Sequence, residues 1–455
     1  MNEINRRRFL DRSRKTTLGF AAGTTILANA RLVRGSAANE RLVLAMIGIH
    51  GRGNSLAMGF LDRDDCEIGY LCDVNRQWHE PRAKAYAARQ GGKRPKCVQD
   101  FREMLEDPAV DAVVIATPPH WHALATILSC RAGKDVYCEK PQSHSCWEGR
   151  KAVEAARKYD RIVQIGTQNR SAPYNMAAKR YLQEGKLGRV HLCRVFNQAH
   201  VGNFRWAPES EPPATFDWDM WNGPAPARKY NKALHSQWRQ LWDYGGGDIA
   251  YQAIHQLDLA RWLCGVEHPS AAYCTGGRFH TKGAAETPDT MQAAFDFPNM
   301  LMTFEQTLYT PYMLRSDGRI RNGDIFPHWP QNSTRIELYG DRGMMCIGRM
   351  GGGWQVFARP KARKPVVAEQ MFGRYPAPAH KENFVQSVKS RKRPNADIEI
   401  GHKSVLLVHY ANISYRLGGR KLRIDPKTEQ FLDDPEAMGL FKRKYRKPYV
   451  VEEVV

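Results

Sequence analysis

Leu42–Ile47 (Leu-Val-Leu-Ala-Met-Ile) is a continuous apolar run that breaks at Gly48-Ile49-His50-Gly51-Arg52-Gly53. An uninterrupted run of this kind suits a strand buried on both faces of a parallel sheet, not one with a wet face. The glycine turn feeds a helix-like stretch through Leu61. A second apolar run, residues 68–72, ends at Asp73, about twenty residues past Gly53. Strand, tight turn, helix N-terminus, strand and acid, in that order, are what recognition of a dinucleotide requires. The turn admits the pyrophosphate to the backbone, the helix end faces its charge, and the carboxylate accepts from ribose hydroxyls. One position departs from the pattern: His50 stands where the second glycine falls, leaving Gly51 to give the close backbone approach. Gly48, Gly51, Arg52 and Gly53 are the expected phosphate-side contacts. Asp73 favours NAD over NADP, because it would repel a 2′-phosphate. Arg52 and Arg76 would soften that preference.

The alternation continues. Residues 111–117 form a third apolar strand that breaks at Pro118-Pro119, and a helix follows over 120–132. A strand then closes at Glu139-Lys140-Pro141, followed by a helix over 147–159 and a strand over 162–166. Alternating strands and helices imply a parallel, doubly wound sheet that binds ligands at the carboxyl ends of its strands. Thr117, His120, Trp121, His122, Glu139, Lys140 and Gln168 all fall at such ends. Each alone is an ordinary loop residue; their common edge makes them a candidate site.

Together these stretches resemble the Gfo/Idh/MocA oxidoreductases, from about Leu42 almost to the C-terminus. The matching segments are residues 47–53, Cys72-Asp73-Val74-Asn75, residues 116–122, Glu139-Lys140-Pro141 and residues 164–168. The resemblance implies a Rossmann sheet over 41–167. It also implies a C-terminal α+β domain over 168–455 with a large, mostly antiparallel open sheet that backs a substrate site and carries oligomer contacts. Thr117, His122, Glu139, Lys140 and Gln168 join the expected cofactor contacts, with Lys140 touching both nicotinamide ribose and substrate. In the second half, Gly245-Gly246-Gly247-Asp248 leads into a helix expected over 249–263. On it Tyr251, His255 and Asp258 are spaced by four and three, on one face. This stretch is similar to the family's D-x-x-x-H-x-x-D signature, which makes His255 the expected acid/base and Asp258 its orienting partner or a substrate contact. Tyr251 stands where the family's sugar dehydrogenases have an acid. A phenol there can relay a proton or hold a hydroxyl but cannot replace a carboxylate base, so the substrate class stays open.

Residues 204–244 are irregular and aromatic, with Trp206, Trp218, Trp221, Tyr230, Trp238, Trp242 and Tyr244 among Arg228, His235, Arg239 and Asp243. Aromatic faces suit sugar rings, and Arg239 and Tyr244, nearest the glycine-led helix, are the substrate candidates. Residues 217–224 look like a family structural element. Beyond Ala271 the pattern alternates as strands. Hairpins are expected at Pro298-Asn299 and between 335–339 and 344–347, with helices near 381–390 and 401–417.

Arg6-Arg7-Arg8-Phe9-Leu10, a mildly apolar run over 16–27 and Ala28-Asn29-Ala30 read as a twin-arginine export signal over residues 1–30. A second cleavage pattern lies at Ser36-Ala37-Ala38. The run is too short and too rich in Gly and Thr for a stable membrane span. Export of a folded protein implies a periplasmic enzyme that carries its dinucleotide tightly bound, with the export machinery as a partner. Net charge is +21, and +17 without residues 1–30. The basic runs at 359–364, 389–393 and 442–447 accompany no nucleic-acid module and are expected on solvated surface. Ten cysteines with no C-x-x-C pair are expected as free thiols, and scattered histidines predict no metal site.

The leading expectation is hydride transfer between tightly held NAD and a sugar, glycoside or polyol hydroxyl, with Lys140, His255 and Tyr251 as the catalytic group. The enzyme is expected as a homo-oligomer, dimer or tetramer. The alternatives are a glycoside hydrolase or lyase that oxidises transiently and eliminates, and a non-catalytic binding protein on the same scaffold.

Overall fold

The computed structural model describes residues 41–314 and 318–455. The expected export signal, both cleavage patterns included, lies outside the described residues. Six strands form a wholly parallel sheet: β1 (Leu42–Ile47), β2 (Cys66–Cys72), β3 (Lys96–Val98), β4 (Ala112–Ile115), β5 (Asp135–Cys138) and β6 (Val163–Ile165), in the order β3-β2-β1-β4-β5-β6. β1 pairs with β2 on one side and β4 on the other, so the strand order reverses there and the carboxyl ends open a crevice. Alternate β1 residues serve opposite faces. Leu44 and Met46 pack with Leu56, Ala57 and Phe60 of the helix Gly51–Leu61. Ala45 and Ile47 pack with the side bearing Ile127 and Val153, from the helices His122–Arg131 and Cys146–Lys158.

A second sheet of nine strands comprises β7 (Val190–Gln198), β8 (Ala271–Gly277), β9 (Thr290–Phe297), β10 (Met300–Thr307), β11 (Arg335–Gly340), β12 (Met344–Gly348), β13 (Trp354–Lys361), β14 (Lys364–Met371) and β15 (Leu422–Arg423). Its order is β14-β13-β12-β11-β7-β10-β9-β8-β15. Every pair is antiparallel except β7 with β10. Both expected hairpins form. One face packs against Leu257 and Leu263 of the helix Ile254–Cys264 and Val405 and Leu406 of the helix Ile398–Arg416.

The two sheets do not divide the chain cleanly. Phe384, Val385 and Val388, on the helix Ala377–Ser390, pack among the first sheet's residues, and Ile398, Tyr449 and Val451 fill its other face. The basic runs also differ from expectation. Arg363 and Lys364 are exposed at the β13–β14 turn, but Lys389 and Arg391 pair with Asp65 and Asp135, and Arg443 and Arg446 pair with Glu148 and Asp219. These side chains hold segments distant in sequence together, which a charge count does not reveal. All ten cysteines are free thiols, most of them buried in strands or helices. Among the described residues no helix is long and apolar enough to cross a membrane, and no three His, Cys, Asp or Glu side chains gather as metal ligands.

Candidate active site

The crevice beyond β1 and β4 is a cleft of about 600 Å³. The first sheet contributes its floor. Gly48 has φ +79°, and a Cβ there would meet the Ala116 carbonyl oxygen at 2.9 Å; one on Gly53 would meet the Gly48 carbonyl oxygen at 1.7 Å. Only glycine fits either place, so the turn folds tightly and sets the N-terminus of the helix Gly51–Leu61 at the cleft wall. A Cβ on Gly51 would meet nothing within 4 Å, so the backbone there is open to a ligand. Gly53 is packing beneath the turn and does not itself line the cleft.

Asp73 lies just past the end of β2. Its carboxylate oxygens accept from the backbone N–H groups of Ile49 (3.1 Å) and Asn75 (2.9 Å), which ties it to the glycine turn. Burial raises its pKa against those two hydrogen bonds. A carboxylate has about four acceptor sites, so capacity for a ribose diol remains. His50 and Trp78 line the cleft beside it with ring centroids 4.4 Å apart. Arg52 is engaged elsewhere: its Nε donates to Glu139 at 2.7 Å. Arg76 donates to the Ala214 carbonyl.

Glu139 and Lys140 follow β5. Burial works to raise the Glu139 pKa, but Arg52 and Lys140 bring it below the usual carboxylate value. Lys140 Nζ donates to the Tyr251 carbonyl and lies 4.4 Å from that residue's ring centroid. Burial pulls the Lys140 pKa down to about 8, with Arg349 and Arg52 adding to the effect and Glu139 opposing it. His122 is wholly buried, with ring nitrogens 2.6 Å from the Pro141 carbonyl and 2.8 Å from the Thr117 carbonyl. It straps the loops after β4 and β5 together and so positions Lys140, but it does not line the cleft. Thr117 and Gln168 do line it.

The opposite wall comes from the second half. Residues Ile249–Ala253 form a π-helical turn before the α-helix Ile254–Cys264, where one continuous α-helix was expected. Such turns recur at functional sites because the wider winding redirects side chains. Tyr251 and His255 line the cleft; Asp258 does not share that wall. Asp258 is fully buried, takes a bidentate pair from Arg170 (2.9 Å at two oxygens) and accepts from Ser404 Oγ at 2.7 Å. It pins the His255 helix to the segment after β6 and contacts neither cleft nor imidazole in the manner expected. His255 Nδ1 is buried without a hydrogen-bond partner. Burial, then the charges of Arg349, Lys140 and Arg52, pulls the His255 pKa well below its usual value. Neutral imidazole is therefore the resting form.

Tyr244, an expected substrate contact, is instead in the core: its hydroxyl donates to Asn222 Oδ1 at 2.7 Å and its ring lies 5.1 Å from His120. Arg239 does line the cleft, with its guanidinium 5.1 Å from the Tyr251 ring centroid. Residues 217–224 act as the structural element expected: Trp121 Nε1 donates to the Met220 carbonyl, and His120 Nε2 bonds the Trp221 carbonyl. Arg349, Met350, Gln252 and Tyr375 line the cleft without having been singled out in the sequence. The signal for the first two was Gly351-Gly352-Gly353 after β12, all at positive φ, which turns the chain back over the site.

Glycines that only a close backbone approach explains, a helix end at the cleft wall and an acid at the second strand fit a dinucleotide, and a lysine and a histidine lining the same cleft suit an oxidoreductase site. Residues 42–167 match the oxidoreductase family NAD-binding Rossmann fold, 175–346 the GFO/IDH/MocA C-terminal domain, and 342–451 the oxidoreductase family C-terminal alpha/beta domain. The chain belongs to the GFO/IDH/MocA oxidoreductase family. A levoglucosan dehydrogenase of Pseudarthrobacter phenanthrenivorans is 28% identical over 185 residues, 41% of this chain and 40% of that protein. The scyllo-inositol 2-dehydrogenase (NAD(+)) of Bacillus subtilis is 29% identical over 39% of this chain and 42% of its own length. The chain thus aligns with less than half of each of these two relatives. The solved structure of a levoglucosan dehydrogenase with NADH and levoglucosan superposes with a TM-score of 0.63 at 17% identity, over 84% of this chain and 99% of that one. That likeness concerns the fold.

Proposed function

We propose that this protein transfers hydride between tightly held NAD and a hydroxyl-bearing carbon of a sugar, glycoside or polyol. Residues 41–167 hold the cofactor and 168–455 complete the substrate site. The observation that carries this reading is Lys140 and His255 lining one cleft from opposite halves of the chain, with the glycine turn at its other end. A nicotinamide held there by the glycine turn, Asp73 and the loops after β4 and β5 would supply the hydride acceptor. His255, neutral at rest, takes the hydroxyl proton as that carbon is oxidised. Lys140 holds the oxygen on which negative charge develops, and its backbone tie to Tyr251 fixes it in place. Tyr251 borders the same space and donates a hydrogen bond to a neighbouring hydroxyl. Glu139 and Arg52, paired at 2.7 Å, keep the lysine's surroundings fixed.

The relatives named as dehydrogenases of levoglucosan and scyllo-inositol support a carbohydrate or cyclitol substrate. The arginine motif at residues 6–8 supports export to the periplasm with cofactor aboard, and the large second sheet supports a homo-oligomer. Purified protein should release NAD, rather than NADP, on denaturation and reduce it when supplied with an accepted sugar, and product analysis should show a ketosugar. Protein that neither carries nor binds dinucleotide would remove the basis of this reading, and a cleaved glycoside without net reduction would replace it with transient oxidation and elimination. Substituting Arg7 and Arg8 by Lys should retain the protein in the cytoplasm; unchanged export would contradict the localisation.

A further inference from the structure

Two acids line the cleft among the described residues, Asp73 and Glu139. Neither serves the end near Tyr251. Asp73 is bound to the glycine turn through Ile49 and Asn75, and Glu139 is occupied by Arg52. At the Tyr251 end stand three cations: Lys140, Arg239 and Arg349. Arg349 is 6% exposed and donates to Gln252 Oε1 at 3.2 Å. Arg239 differs from both neighbours. Its guanidinium lies over the Tyr251 ring, its Nε is buried, and it has no hydrogen-bond acceptor among the described residues. A buried Nε–H without an acceptor is costly, and a carboxylate offsets that cost better than a neutral hydroxyl because it meets the planar fork with two charge-assisted bonds. Burial is the first cause of the lowered Lys140 and His255 pKa values, and the charge of Arg349 adds to it at both.

We propose that the substrate is a sugar acid whose carboxylate is held by Arg239, with Arg349 beside it, while Trp238 and Tyr251 flank the ring. Trp238 meets the Tyr251 ring edge-on at 5.7 Å, which gives the site an aromatic wall next to the cation. This rests on the oxidoreductase reading and narrows its substrate class from sugars in general to uronate-type sugars. Arg239 is a recognition residue here and takes no part in moving hydride or proton.

The test is calorimetric titration of NAD-loaded protein with matched pairs, methyl glucuronide against methyl glucoside and galacturonate against galactose, with glucose 6-phosphate as a further probe. Nicotinamide absorbance is followed in parallel. At least one uronate should bind about tenfold or more tightly than its neutral partner, at the strength of a charge-assisted bond. Arg239→Gln should erase most of that preference, Arg239→Lys should keep part of it, and both should melt at the wild-type temperature. Equal or tighter binding of the neutral sugars, tighter binding of the phosphate, or a preference that survives Arg239→Gln overturns the proposal. The two readings fail separately. Neutral sugars oxidised while uronates are ignored would sink only the sugar-acid inference. Uronates bound through Arg239 with the cofactor never reduced would sink only the oxidoreductase reading.

Discussion

At Asp73 a single carboxylate is placed to influence which dinucleotide the proposed site accepts. Held by two backbone N–H groups beside the glycine turn, it presents its remaining lone pairs to the cleft. Asp73→Ala should weaken NAD binding by about tenfold or more, at roughly 1.5–3 kcal/mol for a hydrogen bond to a charged group, and narrow the margin over NADP. Isothermal titration with both cofactors reads this directly. Sugar binding to cofactor-loaded protein should change little, because Asp73 is remote from His255. Lys140 sets a pH limit. In the proposed role it would stabilise an alkoxide only when protonated, and burial pulls its pKa down to about 8. With burial holding the His255 pKa well below its ordinary value, a base in its proposed role would be ready throughout the neutral region. Turnover at low substrate should therefore hold level through neutral pH and fall by about tenfold per unit above pH 8. Lys140→Arg, which stays charged, should remove that alkaline limb whatever it does to the rate, and a limb unchanged in this variant would assign the titration elsewhere.

Among the elements, the strand–turn–helix at residues 42–61 and the strand ending at Glu139 were legible because apolar runs and glycine punctuate them locally. The π-helical turn was not. Its sequence, Ile-Ala-Tyr-Gln-Ala, carries ordinary helical character, and nothing local marks that Lys140 from the first half takes the Tyr251 carbonyl within it. His255 and Asp258 do share one α-helix, but their three-residue spacing could not show that Asp258 is taken by Arg170 and Ser404 from segments distant in sequence. Tyr244 failed similarly: nearness in sequence to the glycine-led helix did not reveal that its ring packs against His120. Arg349 was hidden because it arrives from a hairpin nearly a hundred residues past His255. Asp258 now carries an expectation of its own. Asp258→Ala strands a buried guanidinium and should cost about 3–5 kcal/mol of stability, read by denaturant unfolding. Any loss of turnover should come from a displaced helix, so the pH profile of the remaining activity should keep its shape.

The whole molecule is organised so that neither sheet owns the site. Late segments return to the first sheet, where Phe384 and Val451 fill its two faces, and Arg443 reaches Glu148, a fully buried carboxylate. The sequence showed both sheets but not this return, since the basic run at 442–447 reads as solvated surface until its partners are known. Arg443→Met should leave Glu148 buried without its counter-charge and lower stability by about 3–5 kcal/mol. Because the tail and the first sheet share a core, loss of NAD affinity should follow unfolding and not precede it, which cofactor release and circular dichroism on one melting ramp would show.

In the proposed mechanism Lys140 and His255, lining one cleft from the two halves, perform the proton and charge work of hydride transfer beside NAD. Single-turnover reduction of bound cofactor by an accepted sugar tests it most directly, comparing wild type with His255→Ala and Lys140→Met at matched cofactor occupancy. Dinucleotide binding should be normal in His255→Ala with reduction slowed about 100-fold or more, and Lys140→Met should show a comparable loss. Reduction at the wild-type rate in either variant, with NAD fully bound, would contradict it.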